Sequence, residues 1–350
     1  ERRVVAENLP EKRIPRNAQA LFNLGYAEFS VMFHDGRVER LENGLIRTPL
    51  GDLPGKGPLP VLAAQAGFPV ISADEMAGHY SENDVSTAVR RGVLTGSGGA
   101  RQIIADRVAG IGAYKDRFAK IYGADTSLTY PLIAEALAVF MAHEWRADDS
   151  PFDRYLCHGE PLSPDAEAGM ELFYGEVGCS ACHAGRFQTD HGFHAIAMPQ
   201  IGPGKAERFE THSRDTGRMR VTGDPLDAFK FKTPSLRNVA LTAPYGHAGA
   251  YSNLKSVIRH HLDPEGSLAS YDRTRAILPA LADAKDFPIL EEPEEVDAIL
   301  EANELALPEL SEEQIEQLLA FLHSLTDRTG LTGRIGVPET VPSGLPVPRP

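Results

Sequence analysis

The chain has 350 residues, enough for two domains that each bury a core. With 42% apolar and 24% charged residues it has the composition of a folded globular protein, and no run approaches the ~18 consecutive apolar residues of a membrane span. Its 35 basic and 49 acidic residues give a formal net charge of −14, which argues against non-specific nucleic-acid binding and suits a solvated acidic surface. The 32 glycines and 26 prolines point to helices joined by long irregular connections, and three cysteines are too few for a disulfide scaffold in a chain this long.

Residues 1–70 are rich in Pro and Gly, with short apolar pieces such as Ala20-Leu21-Phe22 and Val31-Met32-Phe33, and read as loops with a few turns of helix. From Glu75 to about Trp145 the pattern becomes helical, with amphipathic pieces at Asp84–Val89 and Phe118–Tyr122. Pro131 to Trp145 is the clearest helix: Pro131 suits the first turn, and Leu132, Ile133, Ala136, Leu137, Phe140 and Met141 form a wide apolar stripe. Asp148-Asp149-Ser150-Pro151 breaks it and marks the expected boundary between a domain 1–150 and a domain 151–328. A second helix, Pro164 to Tyr174, leads into a cysteine motif. Residues 184–235 have little periodicity, as expected of loops that wrap a cofactor. Leu254 to Leu262 is a short helix, and Ser311-Glu312-Glu313-Gln314 is a capping box that opens a helix through about Leu325. The Gly/Pro-rich tail, 329–350, is expected to be extended. There is no internal repeat. The sequence begins at Glu1 with neither an initiator Met nor a secretion signal, as expected of a processed or trimmed chain.

Gly178-Cys179-Ser180-Ala181-Cys182-His183 is a C-x-x-C-H motif. Two thiols at this spacing reach the two vinyl groups of haem, and the adjacent His lies under the iron, so the motif reads as c-type haem attachment. A dithiol redox pair would want a strand before the motif, where a helix is expected. A zinc site would want a second Cys or His pair at regular spacing, and Cys157, expected to be a buried or incidental thiol, does not supply it.

Phe152-Asp153-Arg154-Tyr155-Leu156, Leu172-Phe173 and the motif itself, followed by Phe231 through Tyr245 and then His247 and Gly249, resemble the bacterial di-haem cytochrome c peroxidase family, which includes the MauG-type enzymes. Pro15-Arg16-Asn17, Phe33-His34-Asp35-Gly36-Arg37 and Gln65 to Met76 extend the resemblance to roughly residues 14–325. It implies a mainly α fold of two cytochrome-c-like helical haem domains with long irregular loops. A peroxidatic haem would sit in the N-terminal domain, an electron-transfer haem in the C-terminal domain, and Ca2+ between them. It also implies reduction of hydrogen peroxide with electrons from a small c-type cytochrome or other redox protein. MauG-type members instead oxidise residues of a partner protein through a high-valent di-haem state. The family carries a second C-x-x-C-H upstream of the Arg-Asn motif, whereas here Arg16-Asn17 stands near the start and one motif is visible. Two haems are expected in a full-length protein. A chain with one haem alone would be a non-catalytic electron carrier. Covalent haem implies export, hence a periplasmic location.

Carried over residue by residue, the resemblance places Gln65, Pro69 and Glu75 in the distal pocket of the peroxidatic haem, with Glu75 moving the peroxide proton and Gln65 holding the peroxide. His34 stands where the family usually has a Trp between the haems. Trp145, the one tryptophan, is expected to pack in a core or at the domain boundary. The second axial ligand of the Cys179/Cys182 haem falls at His261, opposite His183; His260 next to it, and Met198 or Met219 elsewhere, are the alternatives. His247 is expected to touch a propionate or order the haem loop, and His191 and His194 to be structural. The Asn17 side chain with the backbone carbonyls of Thr242 and Pro244 matches the family's calcium ligands, hard oxygen donors that suit that ion.

Overall fold

The computed structural model describes residues 13–79, 81–205, 212–282, 284–331 and 333–347. The described chain is helix-rich and divides into two compact units that are interleaved in sequence. Among the described residues, one is built from stretches of 21–32, 37–146 and 329–347, the other from stretches of 13–20, 33–36 and 147–328. No described helix is long and apolar enough to cross a membrane.

The first unit opens with a four-stranded antiparallel meander, β1 (Val31–Met32), β2 (Val38–Arg40), β3 (Leu45–Arg47) and β4 (Leu53–Pro54), paired in chain order. This corrects the loops-and-turns expectation for residues 1–70, of which 1–12 lie outside the described residues. Strands of two or three residues are too short to show a period of two. Val38 and Ile46 are buried and give the sheet its inner face. Helices α1 (Pro60–Ala66), α2 (Asp84–Arg90), α3 (Ala100–Ala109), α4 (Gly112–Tyr122) and α5 (Tyr130–Glu144) follow. Asn83 and Ser86 cap α2 reciprocally, and Pro131 occupies the first turn of α5 as expected. Trp145, just beyond α5, is half-buried and meets Phe22 edge-on at 6.1 Å. The carboxylate of Glu144 is buried and accepts backbone N–H groups of Ile335 at 2.7 Å and Gly336 at 3.1 Å, clasping the tail to the end of α5. Burial pushes this carboxyl up, but the N–H donors of Ile335, Gly336 and Arg334 outweigh it and hold the group below its ordinary pKa. Apart from the 3₁₀ turn at Thr329–Leu331, the described tail has no helix or strand.

The second unit holds α6 (Pro151–His158), α7 (Pro164–Tyr174), β5 (Phe193–His194), α8 (Met219–Thr222), β6 (Phe231–Lys232), α9 (Leu254–Leu262), α10 (Pro264–Ala269), α11 (Pro293–Glu301) and α12 (Glu312–Ser324). Helix α5 ends at Glu144, capped by Trp145, ahead of Asp148 to Pro151, and that stretch instead starts α6. Ser150 and Asp153 form a capping box, Pro151 takes the first turn, and Gly159 closes the helix at φ 68°. Helix α7 is capped by Ser163, α9 by Asn253 and α12 by Ser311 with Gln314. Helices α7 and α12 cross over a core of Phe152, Phe173, Leu236, Ile315, Leu318, Phe321 and Leu325. Phe321 is fully buried, with ring centroids 5.3 Å from Phe152 and 5.1 Å from Phe173.

Gly169 is what lets the two helices approach. A Cβ there would lie 1.9 Å from the carbonyl oxygen of Gln317 and 2.4 Å from its carbon, both backbone atoms of α12. Backbone cannot rotate aside as a side chain can, so Gly169→Ala is expected to push the helices apart. The cost of such overpacking is about 1–3 kcal/mol. A urea titration should show a lower midpoint with little change in slope, and an unchanged midpoint would refute the tight crossing.

Candidate functional site

The cysteine motif sits on a short 3₁₀ turn, Cys179–Ala181, directly after α7, entered through Gly178 at φ 80°. Cys179 and Cys182 are both half-buried free thiols. Burial pushes the Cys179 thiol up to about 11, and burial with Asp190 and Glu304 nearby raises Cys182. Cys157 is exposed, so its expected burial is corrected. It lies on the short helix α6, whose buried residue is Phe152.

His183 and His261 are neighbours, with ring centroids 6.5 Å apart and planes tilted by 54°. The Nδ1 of His183 donates to the carbonyl of Gln188 at 3.0 Å, and the Nδ1 of His261 donates to the carbonyl of Val257 at 2.8 Å. A carbonyl can only accept, so both rings carry their proton on Nδ1 and a lone pair on Nε2, the arrangement that metal-binding histidines use. At this separation the two Nε2 lone pairs are near enough to hold one ion between them through bonds of about 2.0–2.1 Å. Burial, with His261 alongside, pushes His183 down to about 4, and burial lowers His261 too, so both stay neutral and able to ligate.

His260 differs. Its Nδ1 accepts from the Tyr251 hydroxyl at 2.9 Å and its Nε2 donates to Ile196 at 2.8 Å, so both nitrogens of this fully buried ring are used. Met198 packs among Ile201, Ala250 and Tyr251, and Met219 opens α8. His194 holds Asp190 at 2.7 Å, and with Cys182 these two form a group whose ligand atoms lie within 4.8 Å of one another. Thioether formation at Cys182 would remove its thiol from that group. His191, at φ 56°, lies in the same loop.

A second cluster in this unit gathers around Asn17. Its backbone N–H donates to the His247 carbonyl at 2.8 Å, its Nδ2 to the Pro244 carbonyl at 2.7 Å, and its carbonyl accepts from His34 Nε2 at 3.0 Å. Asn17, Thr242 and Pro244 all belong to this one unit. The amide turns its nitrogen to Pro244, so a cation here needs the amide flipped to present its oxygen. The Thr242 hydroxyl donates to Val239. His247 is buried, stacked on Phe231 at 3.6 Å and 8°, and neither ring nitrogen has a partner, an orphaned pair that a polar group of a cofactor would satisfy. Arg16 grips Asp215 with two bonds of 2.7 and 2.8 Å and Asp35 at 2.6 Å; burial opposes the charge on Asp215, but Arg16 holds its carboxyl low.

Gln65, Pro69 and Glu75 lie in the other unit. Gln65 is buried in α1 and its Oε1 has no partner. Pro69 heads the 3₁₀ turn Pro69–Ile71, and its carbonyl accepts from Met76 at 3.0 Å, so the turn folds Glu75 back toward it. Glu75 is exposed. Arg101 spreads over Phe68 and Tyr130 and donates to the Gly67 carbonyl at 2.8 Å.

Sequence reasoning missed Gln188 and the role of Arg237. The buried Arg237 guanidinium donates to the Arg186 carbonyl at 3.0 and 2.8 Å and to Asp153 at 2.7 Å, fixing the loop that carries Gln188. A charged residue inside the run Phe231 to Tyr245 was the available signal for Arg237; Gln188 had none.

The sequence family described as di-haem cytochrome c peroxidase matches residues 1–161. The cytochrome-c peroxidase IdrP1 of Denitromonas iodatirespirans is 32% identical over 184 residues, 46% of this chain and 48% of that protein. The methylamine utilization protein MauG of Methylorubrum extorquens is 26% identical over 252 residues, 71% of this chain and 55% of that protein. The chain therefore spans about half the length of these curated relatives. In fold, it is similar to a crystal structure of a MauG-like protein associated with microbial copper homeostasis, at TM-score 0.56 and 23% identity over 91% of this chain and 77% of the other.

Burial of neutral imidazoles has a pH consequence. Burial brings His247 down to about 3, and burial with the neighbouring His261 brings His260 to about 3. Below the ordinary imidazole pKa of about 6.5 the unfolded chain takes up protons that the folded chain refuses. Stability is therefore full above about pH 6.5 and falls as pH drops toward 3, by up to about 1.4 kcal/mol per pH unit for each group. Urea midpoints at pH 7, 6 and 5 should decrease in that order, and a flat series would contradict the buried neutral rings.

Proposed function

We propose that this chain, similar to the di-haem cytochrome c peroxidase and MauG family in sequence, is a c-type haem oxidoreductase that reduces hydrogen peroxide with electrons from a small redox protein. The observation that carries this reading is the neighbouring pair His183 and His261, each with Nδ1 engaged and Nε2 available, in a unit with two free thiols of a C-x-x-C-H motif. In this reading Cys179 and Cys182 would hold haem c through thioethers, and His183 and His261 would bind its iron through Nε2. When bound, the haem supplies one-electron redox chemistry at iron.

The remaining parts are assigned to this chain's own residues. His247, buried with two unpartnered nitrogens, donates to a haem propionate. Asn17, with the carbonyls of Thr242 and Pro244, holds Ca2+ once the amide presents its oxygen. In the other unit, Gln65 offers its buried Oε1 to a peroxide O–H. The Glu75 carboxylate would take a proton from one peroxide oxygen and hand it to the other as the O–O bond breaks; two electrons from the redox-protein donor and two protons from solvent complete the reduction to two waters. Pro69 fixes the turn that carries Glu75. A second haem near Gln65 and Glu75 is part of the proposal. So are a small c-type cytochrome as donor and a periplasmic location, since c-type haem is installed outside the cytoplasm.

A second reading, oxidation of residues on a partner protein, is favoured by the nitrogen donor at position 261. An imidazole supports oxidised iron better than a thioether and lowers the potential.

The test uses the haem-loaded protein. A low-spin spectrum with two imidazole ligands is expected, lost in His261→Ala and kept in His260→Ala. Peroxide consumption with a reduced c-type cytochrome should fall roughly 10²–10⁴-fold in Glu75→Gln, the usual worth of a positioned proton carrier. One haem by intact mass together with no peroxide consumption would leave a non-catalytic electron carrier.

A further inference from the structure

Gln188 stands in the left-handed backbone region, at φ 47°. A residue with a Cβ there costs about 1–2 kcal/mol relative to ordinary backbone, and glycine would escape that cost. The position nonetheless carries a long amide, 1% exposed. Its side chain has a definite occupation. The Nε2 donates to the Tyr174 hydroxyl at 3.2 Å and to the Gly185 carbonyl at 3.2 Å. The buried Oε1 has no partner, so the amide is held through its nitrogen alone. The backbone carbonyl of this same residue takes the Nδ1–H of His183 at 3.0 Å.

Tyr174 is the far end of this chain of contacts. It closes α7 and is 40% exposed. Its ring meets Phe173 edge-on at 5.0 Å and stacks over Phe152 at 6.3 Å, so packing fixes the ring and the hydroxyl becomes a fixed post. Phe173 in turn lies 6.5 Å from His183.

We propose that Gln188 is a positioning residue for His183 and that the Tyr174 hydroxyl anchors it, so that the reduction potential at the His183 ligand is set from the protein surface. This rests on reading Cys179, Cys182, His183 and His261 as the haem site. The physical link is the strength of the Nδ1–H bond. A well-aligned carbonyl draws that proton and makes the imidazole a better electron donor, which favours the ferric state and lowers the potential. Loosening the Gln188 amide lets its carbonyl drift from His183, and the potential rises.

Two variants of the haem-loaded protein test this. Tyr174→Phe removes the hydroxyl and keeps the ring; Gln188→Met keeps the bulk and removes the amide. Spectroelectrochemical titration of the low-spin haem is the readout, with the ligand spectrum recorded first. Both variants should keep that spectrum. At a fixed ambient potential their ferrous-to-ferric ratio should be about tenfold above wild type, a 59 mV rise for a one-electron couple. The double variant should go no further than Gln188→Met, because both act through one bond. A ratio within twofold of wild type in Tyr174→Phe, with the spectrum intact, overturns the relay and leaves the haem site standing. Additive shifts in the double variant also overturn it. A wild-type spectrum without two imidazole ligands removes the site reading and the relay with it. Should Gln188→Met fail to fold, Tyr174→Phe at the surface decides the matter by itself.

Discussion

The geometry of the candidate site depends on one buried cation, Arg237. Its guanidinium is almost wholly enclosed, lies over the Phe152 ring at 5.7 Å, pairs with Asp153 and gives two hydrogen bonds to the Arg186 carbonyl. Asp153 is also the capping partner of Ser150 at the start of α6. One side chain thus ties the first turn of a helix to the loop that follows the cysteine motif. Removing one partner of a buried pair typically costs about 3–5 kcal/mol, because the other charge is left uncompensated. Here the damage would also reach the loop carrying the Gln188 carbonyl. Further bonds close the same loop: Asp190 N–H to the Cys182 carbonyl at 2.7 Å, Leu236 N–H to the Phe187 carbonyl at 3.3 Å, and the Thr189 hydroxyl to the Thr233 carbonyl at 2.8 Å. A loop without helix or sheet ladder acquires a defined shape by this accounting of its backbone groups.

Four buried or half-buried histidines show how much is decided by what each ring nitrogen meets. His260 has two partners and is a structural strut. His183 and His261 have one backbone carbonyl each and present the other nitrogen. His247 has none for either nitrogen. Burial lowers all four, so each is kept as a neutral ring able to accept or ligate.

Local signals were legible in the sequence, and non-local ones were not. Pro164–Tyr174, Leu254–Leu262 and the Ser311 capping box are set within a turn or two of chain, and the helices stand at those residues. The C-x-x-C-H motif is equally local. The four-stranded meander escaped because its strands span two or three residues each. Helix α6 escaped because Asp-Asp-Ser-Pro reads as a break, whereas its Ser150 and Pro151 open a helix. The pairing of Arg16 with Asp35 and Asp215, the clasp of Glu144 on the tail and the anchoring of Gln188 by Tyr174 join residues whose separation no periodicity can read. The choice of His261 over His260 as the ring with a free nitrogen needed the positions of Tyr251 and Ile196.

The interleaving of the two units bears on how the chain is made. Arg16, which pairs with both Asp35 and Asp215 in one unit, leaves the ribosome about 200 residues ahead of Asp215. The buried network is complete only when the later segment supplies Asp215, since a buried charge with part of its partners missing is costly. The unit that starts at residue 21 is likewise completed by the 329–347 segment, through Glu144 and the N–H groups of Ile335 and Gly336. Neither unit is a contiguous stretch that could finish folding while the rest is being synthesised. Such long-range pairing is intrinsically slow, so neither unit can close its contacts until the later segments of the chain have been made.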